Sequence, residues 1–224
     1  MHNTISTSGT AGDTANTDQL LGAWAHGWTI SRGTDAPIPL ADFGYRIQVG
    51  LPGHLERYVL QGHVLSAIQK LAQELDTPDT WLKVCAPHSS VAGILPPRWK
   101  VKPLEYLMSK PIAPTAVTMP EAYHINLIED GDAVTARACS SEGHHAATGR
   151  MAIYKQYAVF DQIVTEPAHR RRGLAFAIMQ SLANHACSKA ASTGILVATD
   201  EGRALYTAMG WTLASEMTAA VLVE

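Results

Sequence analysis

Most of the chemistry this sequence could perform is concentrated in one short segment. Arg170, Arg171 and Arg172 are followed by Gly173, Leu174 and Ala175. Upstream, Tyr157, Val159, Phe160, Ile163 and Val164 make a run of β-formers, which Pro167 ends because it cannot donate to a ladder. Downstream, Leu174, Ile178, Leu182 and Ala186 recur every four residues and predict an amphipathic helix. The order is strand, turn, helix. The first turn of a helix leaves backbone N–H groups without partners, and the helix dipole adds partial positive charge there. A phosphate fits such a place. Gly173 has no Cβ to intrude, and the three guanidinium groups add donors. Together these residues read as a seat for a pyrophosphate. The competing reading is a solvated basic face or a nucleic-acid contact. The formal net charge of −3 and the confinement of these arginines to one turn argue against it.

The surrounding elements must position that turn. Residues 124–128, 133–139 and 146–154 alternate or run apolar and predict three strands, separated by turns at 130–132 and 140–143. After the helix, residues 194–199 predict a strand, 200–209 a helix containing Tyr206, and 212–223 a closing strand. The first half is harder to read. Residues 27–31, 45–49, 57–60 and 81–85 suggest strands, with a hairpin turn at 51–54. Val64, Ile68, Leu71 and Leu75 place a helix at 63–75. Seven prolines from Pro87 to Pro120 suggest a long irregular connection holding short helical pieces at 91–95 and 104–108. Residues 1–18 show no apolar period and read as a disordered tail. The expected division is tail 1–18, a small α/β region 19–117 that reads as a lid over an acceptor site or as a degenerate half, and a main domain 118–224. No internal repeat is evident.

Composition narrows the class. The chain of 224 residues is 46% hydrophobic and 17% charged, as expected of a globular protein with a real core. No apolar run approaches a membrane span, and no secretory signal is visible. Cys85, Cys139 and Cys187 are far apart, which suggests reduced thiols in the cytoplasm. No C-x-x-C pair is present, and no metal is expected. His144, His145 and Glu142 share a turn and read as solvated. Trp24, Trp28, Phe43, Trp81 and Trp99 all lie in the first half and read mainly as core, with one or two available to line a pocket where the halves meet.

Arg170-x-x-Gly173-x-Ala175, together with the strand before it, the helix, the next strand, the helix with Tyr206, and Gly210-Trp211, resembles the acyl-CoA signature of the GNAT superfamily of N-acetyltransferases. The resemblance covers about residues 120–224. It implies an α/β fold, a mixed twisted sheet flanked by helices, and acetyl-CoA as cosubstrate. By resemblance, Ile163, Val164 and Thr165 pair by backbone with the pantetheine arm, and Arg170, Arg171, Arg172, Gly173, Leu174 and Ala175 hold the pyrophosphate. Tyr206 matches the tyrosine that protonates the departing thiolate; its other reading is a packed Tyr bonded to a backbone carbonyl. Asp161 stands where some members carry a base. It can accept a proton through water or hold an ammonium, or else be a strand Asp tied to a backbone N–H or an Arg. Thr199 replaces a frequent Asn, which weakens one expected cofactor contact. Arg203 is expected in solvent. The implied activity is direct acetyl transfer to a small-molecule amine, such as an amino acid, antibiotic or toxin. The alternatives are a protein lysine or N-terminal acetyltransferase and a non-catalytic acyl-CoA sensor. Neither a nucleic acid nor a membrane is expected as partner, and a homodimer is left open.

Overall fold

The computed structural model describes residues 11–41 and 43–223, with side chains from residue 16 onward. The first element is not the expected strand at 27–31 but a helix, α1 (Ala11–Arg32). Residues 11–18 of the expected tail therefore belong to a helix, and residues 1–10 lie outside the described residues. Propensity misleads here. Gly27 costs about 1 kcal/mol in a helix and each of its neighbours at most about 0.7 kcal/mol. Leu20, Leu21, Trp24 and Trp28 fall on one stripe and are buried, and each such side chain contributes about 1.5–3 kcal/mol. Packing decides.

Strands β1 (Ile38–Leu40), β2 (Gly44–Leu51) and β3 (His54–Gln61) form a meander; the expected hairpin lies between the last two. Helix α2 (Leu65–Glu74) crosses to β4 (Thr80–Cys85), which pairs parallel with β3. Then come α3 (His88–Ala92), β5 (Trp99–Val101) and β6 (Glu105–Pro111). The expected helical piece at 104–108 is thus a strand, and the connection is less irregular than its prolines suggested. Tyr106, Leu107 and Met108 are consecutive and all buried. A strand covered on both faces reads as an apolar run without alternation. The second half follows its expected order: β7 (Tyr123–Asp130), β8 (Ala133–Ser140), β9 (His145–Tyr154), β10 (Tyr157–Thr165), α4 (Leu174–Ser188), β11 (Thr193–Thr199), α5 (Asp200–Ala208) and β12 (Thr212–Leu222).

All the strands join one mixed sheet, ordered β1-β2-β3-β4-β12-β6-β11-β10-β9-β8-β7, with β5 pairing on β12. Both halves use one connectivity: strand, helix, parallel strand, helix, closing strand. They exchange the closing strands. β6, from the first half, pairs with β11, and β12, from the second, pairs with β4. The halves are therefore seamed at the centre of the sheet. Three cores result. α4 packs with Ala158, Phe160, Leu196 and Tyr106. α1 covers Val159, Ile195, Leu107 and Met217, the residues of opposite parity. α2 and α3 pack on Leu60, Leu82 and Val84.

Candidate functional site

The sheet opens between β10 and β11. β10 and β11 pair in parallel from Tyr157 with Thr193 to Phe160 with Leu196, and no further. On its other edge β10 stays with β9, but the register slips between Asp161 and Val164. Gln162 sits inside that bulge with φ +52°. A bulge bends its own strand away from a neighbour. From Asp161 onward the β11-facing edge of β10 has no ladder, and neither does the facing edge of Val197 to Thr199. The equivalent strands in the first half behave differently: β3 and β4 stay paired through six positions, from Glu56 with Thr80 to Gln61 with Cys85. Only the second half opens.

The opening is a cleft of about 720 Å³, lined along its length by Asp161 to Thr165, by Arg170, Arg171 and Gly173 to Phe176, and by Leu196 to Thr199, Leu205 and Tyr206. Three of these residues, Val164, Phe176 and Leu205, expose large apolar side chains.

One end of the cleft presents a row of unbonded backbone donors. The turn leading into α4 carries Arg171 at φ +60° and Gly173, the helix N-cap, at φ +79°. Such left-handed residues rotate successive N–H groups toward a common point. Among the described residues, none of the backbone N–H groups from Arg171 to Phe176 donates to a protein acceptor; the first bond of the helix is Ala177 N–H to Gly173 O. A Cβ on Gly173 would meet only Pro120 Cγ, at 3.8 Å. The glycine is required by its φ rather than by crowding. Arg170 and Arg171 line the cleft. Arg170 donates through Nε to Thr165 O at 3.2 Å. Arg172 turns away from it, donating to Tyr123 Oη at 2.9 Å and to Ala168 O at 3.3 Å. Its side chain ties the turn to β7.

Tyr206 stands at the other end. Its ring lies edge-on to Trp211, centroids 6.2 Å apart. Burial, and then the negative charge of Asp161, push its phenol up to about 12. The hydroxyl makes no hydrogen bond among the described residues, so the packed reading with a carbonyl partner is not what the fold provides. Thr199, where an Asn was anticipated, caps α5: its Oγ1 accepts from Gly202 N–H at 3.2 Å. The hydroxyl proton stays free to donate.

Asp161 is heavily engaged. Arg32, at the end of α1, donates to both carboxylate oxygens, Nε to Oδ2 at 2.5 Å and Nη2 to Oδ1 at 3.1 Å. Gln162 N–H adds a bond at 3.0 Å and Ser31 Oγ one at 3.5 Å. The lone pairs that would take a proton are already accepting. Of the readings open for this residue, the one seen here is a strand Asp tied to an Arg and a backbone N–H.

Behind Asp161, on the face covered by α1, lie charged residues that the sequence did not single out. Arg57 (β3), Lys83 (β4) and Glu105 (β6) form one group with Arg32 and Asp161. Lys83 ion-pairs with Glu105, and burial depresses its amine to about 8. The signal was clearest for Lys83, the one charged residue of β4, since such residues are seldom buried unless paired; in β3 and β6 other charged residues, Glu56 and Lys110, masked it. The other candidates lie elsewhere. His144 approaches Glu142 at 3.5 Å on the surface, and His145 bonds Thr148. Arg203, expected in solvent, lies over the Tyr106 ring at 4.3 Å. Among the described residues, no helix is long and apolar enough to cross a membrane.

The acetyltransferase (GNAT) family model matches residues 94–211, which includes β6 as well as the whole cleft. No curated protein matches the chain. Solved structures with the same fold include a GCN5-related N-acetyltransferase from Kribbella flavida, with 14% identity, TM-score 0.62 and 96% of each chain covered. Another from Sphaerobacter thermophilus has 13% identity, TM-score 0.58 and 94% of each chain covered. A GCN5-related N-acetyltransferase-like protein from Streptococcus suis has 14% identity and TM-score 0.56, covering 95% of this chain and 99% of that one. At such identities the likeness is one of fold, and it extends over both halves.

Proposed function

The chain belongs to the acetyltransferase (GNAT) family, and on that footing we propose that it moves an acetyl group from acetyl-CoA directly to the amine of a small molecule. The observation that carries this reading is the row of unbonded N–H groups, Arg171 to Phe176, at the place where β10 leaves β11. In this reading the pyrophosphate rests on that row, with Arg170 and Arg171 adding charge and Arg172 bracing the turn. The free backbone edge of Ile163, Val164 and Thr165 pairs with the pantetheine arm, and the arm covers Val164, Phe176 and Leu205.

The amine nitrogen bonds to the thioester carbon, the C–S bond breaks, and the amine gives up one proton while the sulfur gains one. Tyr206 faces the departing sulfur. A thiol ordinarily titrates near 8.5, far below the Tyr206 phenol at about 12. Complete transfer of the phenolic proton is therefore uphill. Tyr206 steadies the thiolate by hydrogen bonding, and the proton lost by the amine meets the sulfur through water. Asp161, already held by Arg32, supplies negative charge beside the amine rather than a vacant base.

A small acceptor is favoured over a protein lysine because the Arg32–Asp161 pair fastens α1 across the acceptor end of the cleft. The described cysteines, Cys85, Cys139 and Cys187, are all free, which suits the cytoplasm.

Equilibrium dialysis with acetyl-CoA, paired with free-thiol release across a panel of amines, tests the reading. Saturable binding and amine-dependent thiol are expected. Absence of binding at high micromolar acetyl-CoA removes the donor. Binding without thiol release from any amine makes the protein an acyl-CoA sensor.

A further inference from the structure

Among the described residues, Arg57 is a buried charge with no ion pair. Its residue is only 9% exposed. The guanidinium carbon lies 4.0 Å from the centre of the Trp28 ring and 5.9 Å from that of Trp24. Nε donates to His54 Nε2 at 3.2 Å. That acceptor is neutral: burial and the nearby cations Arg57, Lys83 and Arg32 hold His54 down at about 3. Among the described residues, the terminal nitrogens of Arg57 donate to nothing and no carboxylate is within ion-pairing distance. A buried guanidinium normally has an ionic partner; this one has the His54 bond and the aromatic faces, and feels Glu105 and Asp161 only from beyond ion-pairing distance.

The neighbours do not supply the missing charge. Glu105 is taken by Lys83 and Asp161 by Arg32. Three cations thus face two carboxylates, leaving one positive charge in excess. The group is not sealed. Arg32 is exposed, and His54, Trp81 and Glu105 are partly so. It meets the cleft at Asp161, which belongs to both, while Arg57, Lys83 and Arg32 lie behind the cleft lining.

We propose that the acceptor carries an oxyanion, a carboxylate or a phosphate, as well as its amine, and that the free fork of Arg57 binds this group while Asp161 and Tyr206 flank the reacting end. The inference rests on the acetyltransferase reading and deepens it to amines that bear a negative charge. A guanidinium offers two parallel N–H donors to such a group, which suits it to bidentate capture. Trp28 walls the site, and Arg32, with its guanidinium carbon 5.3 Å from the same ring, is the second cation an anion would meet.

Calorimetric titration of the wild-type protein with matched amines decides the matter: phenylalanine against phenethylamine, lysine against cadaverine, O-phosphoethanolamine against ethanolamine. In at least one pair the anionic member is expected to bind about tenfold or more tightly, the size of one good charge-assisted contact. Which pairs respond separates carboxylate from phosphate. Arg57→Gln is expected to erase the difference while acetyl-CoA binding persists. Equal binding, or no binding, of both members in every pair overturns the inference whether or not the variant folds. So does a preference that survives in a folded Arg57→Gln protein. Loss of acetyl-CoA binding, or absence of thiol release with the anionic preference intact, instead counts against the acetyltransferase reading.

Discussion

Replacing Tyr206 by Phe removes one oxygen and leaves the ring against Trp211 in place. Because the hydroxyl has no partner among the described residues, its loss strands no buried donor or acceptor. The stability change should stay within about 0.5 kcal/mol, as for substitutions that break no specific contact. The oxygen matters only where charge develops on sulfur. A single preorganised donor at such a point is worth about 2.7–4 kcal/mol, or about 10²–10³ in turnover. The expected result is a fall in kcat of that size, with acetyl-CoA affinity unchanged because the anion row and the strand edge are untouched. The pH profile sharpens the test. The phenol is pushed up from 10 to about 12, so it remains protonated through the neutral range and should impose no descending limb on the wild-type profile below about pH 11. Its raised folded-state value also means that its contribution to stability is complete below pH 10 and is lost as pH rises toward 12. Stopped assays of thiol release between pH 6 and about pH 10, with dialysis for affinity, provide both numbers. A variant within about threefold of wild type in turnover, well below the effect of one preorganised donor, removes Tyr206 from the chemistry.

Gly173→Ala should keep the fold, since the added methyl meets only Pro120 Cγ at 3.8 Å, but φ +79° penalises any Cβ by about 1–2 kcal/mol; acetyl-CoA affinity, read by dialysis, should fall about tenfold as the turn shifts. Gly27→Ala should destabilise by about 1–3 kcal/mol in denaturant titration even though alanine is the better helix former, because its Cβ would collide with the Val159 side chain; a stabilised variant would show that α1 does not seat on β10 there. Glu105→Gln leaves Lys83 buried without a counter-charge and should cost about 3–5 kcal/mol, whereas Lys83→Met with Glu105→Leu should be close to neutral; equal losses in the two proteins would mean the pair is not coupled.

The second half was legible because its chemistry and its fold use the same residues. Pro167, the Arg-rich turn and the Leu174–Ala186 stripe fix a strand-to-helix junction by local rules, and the junction carries the row of unbonded N–H groups. Position within the turn was less legible. Nothing local distinguishes Arg172, which braces Tyr123, from Arg170 and Arg171, which line the cleft. The first half hid its elements for two different reasons. In α1, β-forming residues at 27–31 overrode a stripe that only the tertiary packing reveals. In β6, burial on both faces erased the period of two, and the prolines around it argued for a loop.

The strand exchange explains why those two misread elements matter together. β6 carries Glu105 into the middle of the sheet, one strand from the cleft, and α1 brings Arg32 and Trp28 over it. Neither belongs to the half that carries the unbonded N–H row, yet on the proposed reading both bound the place where an acceptor would stand. Because β6 pairs with β11 along its whole length and β12 pairs back with β4, the first half cannot move as a lid without breaking the central ladders. On the reading proposed above, selectivity at the acceptor end would then come from fixed charge rather than from closure of the first half. That is where Arg57, buried and without an ionic partner, becomes more than a packing anomaly. The free-energy cost of keeping such a cation desolvated is offset if it is the group that chooses the substrate.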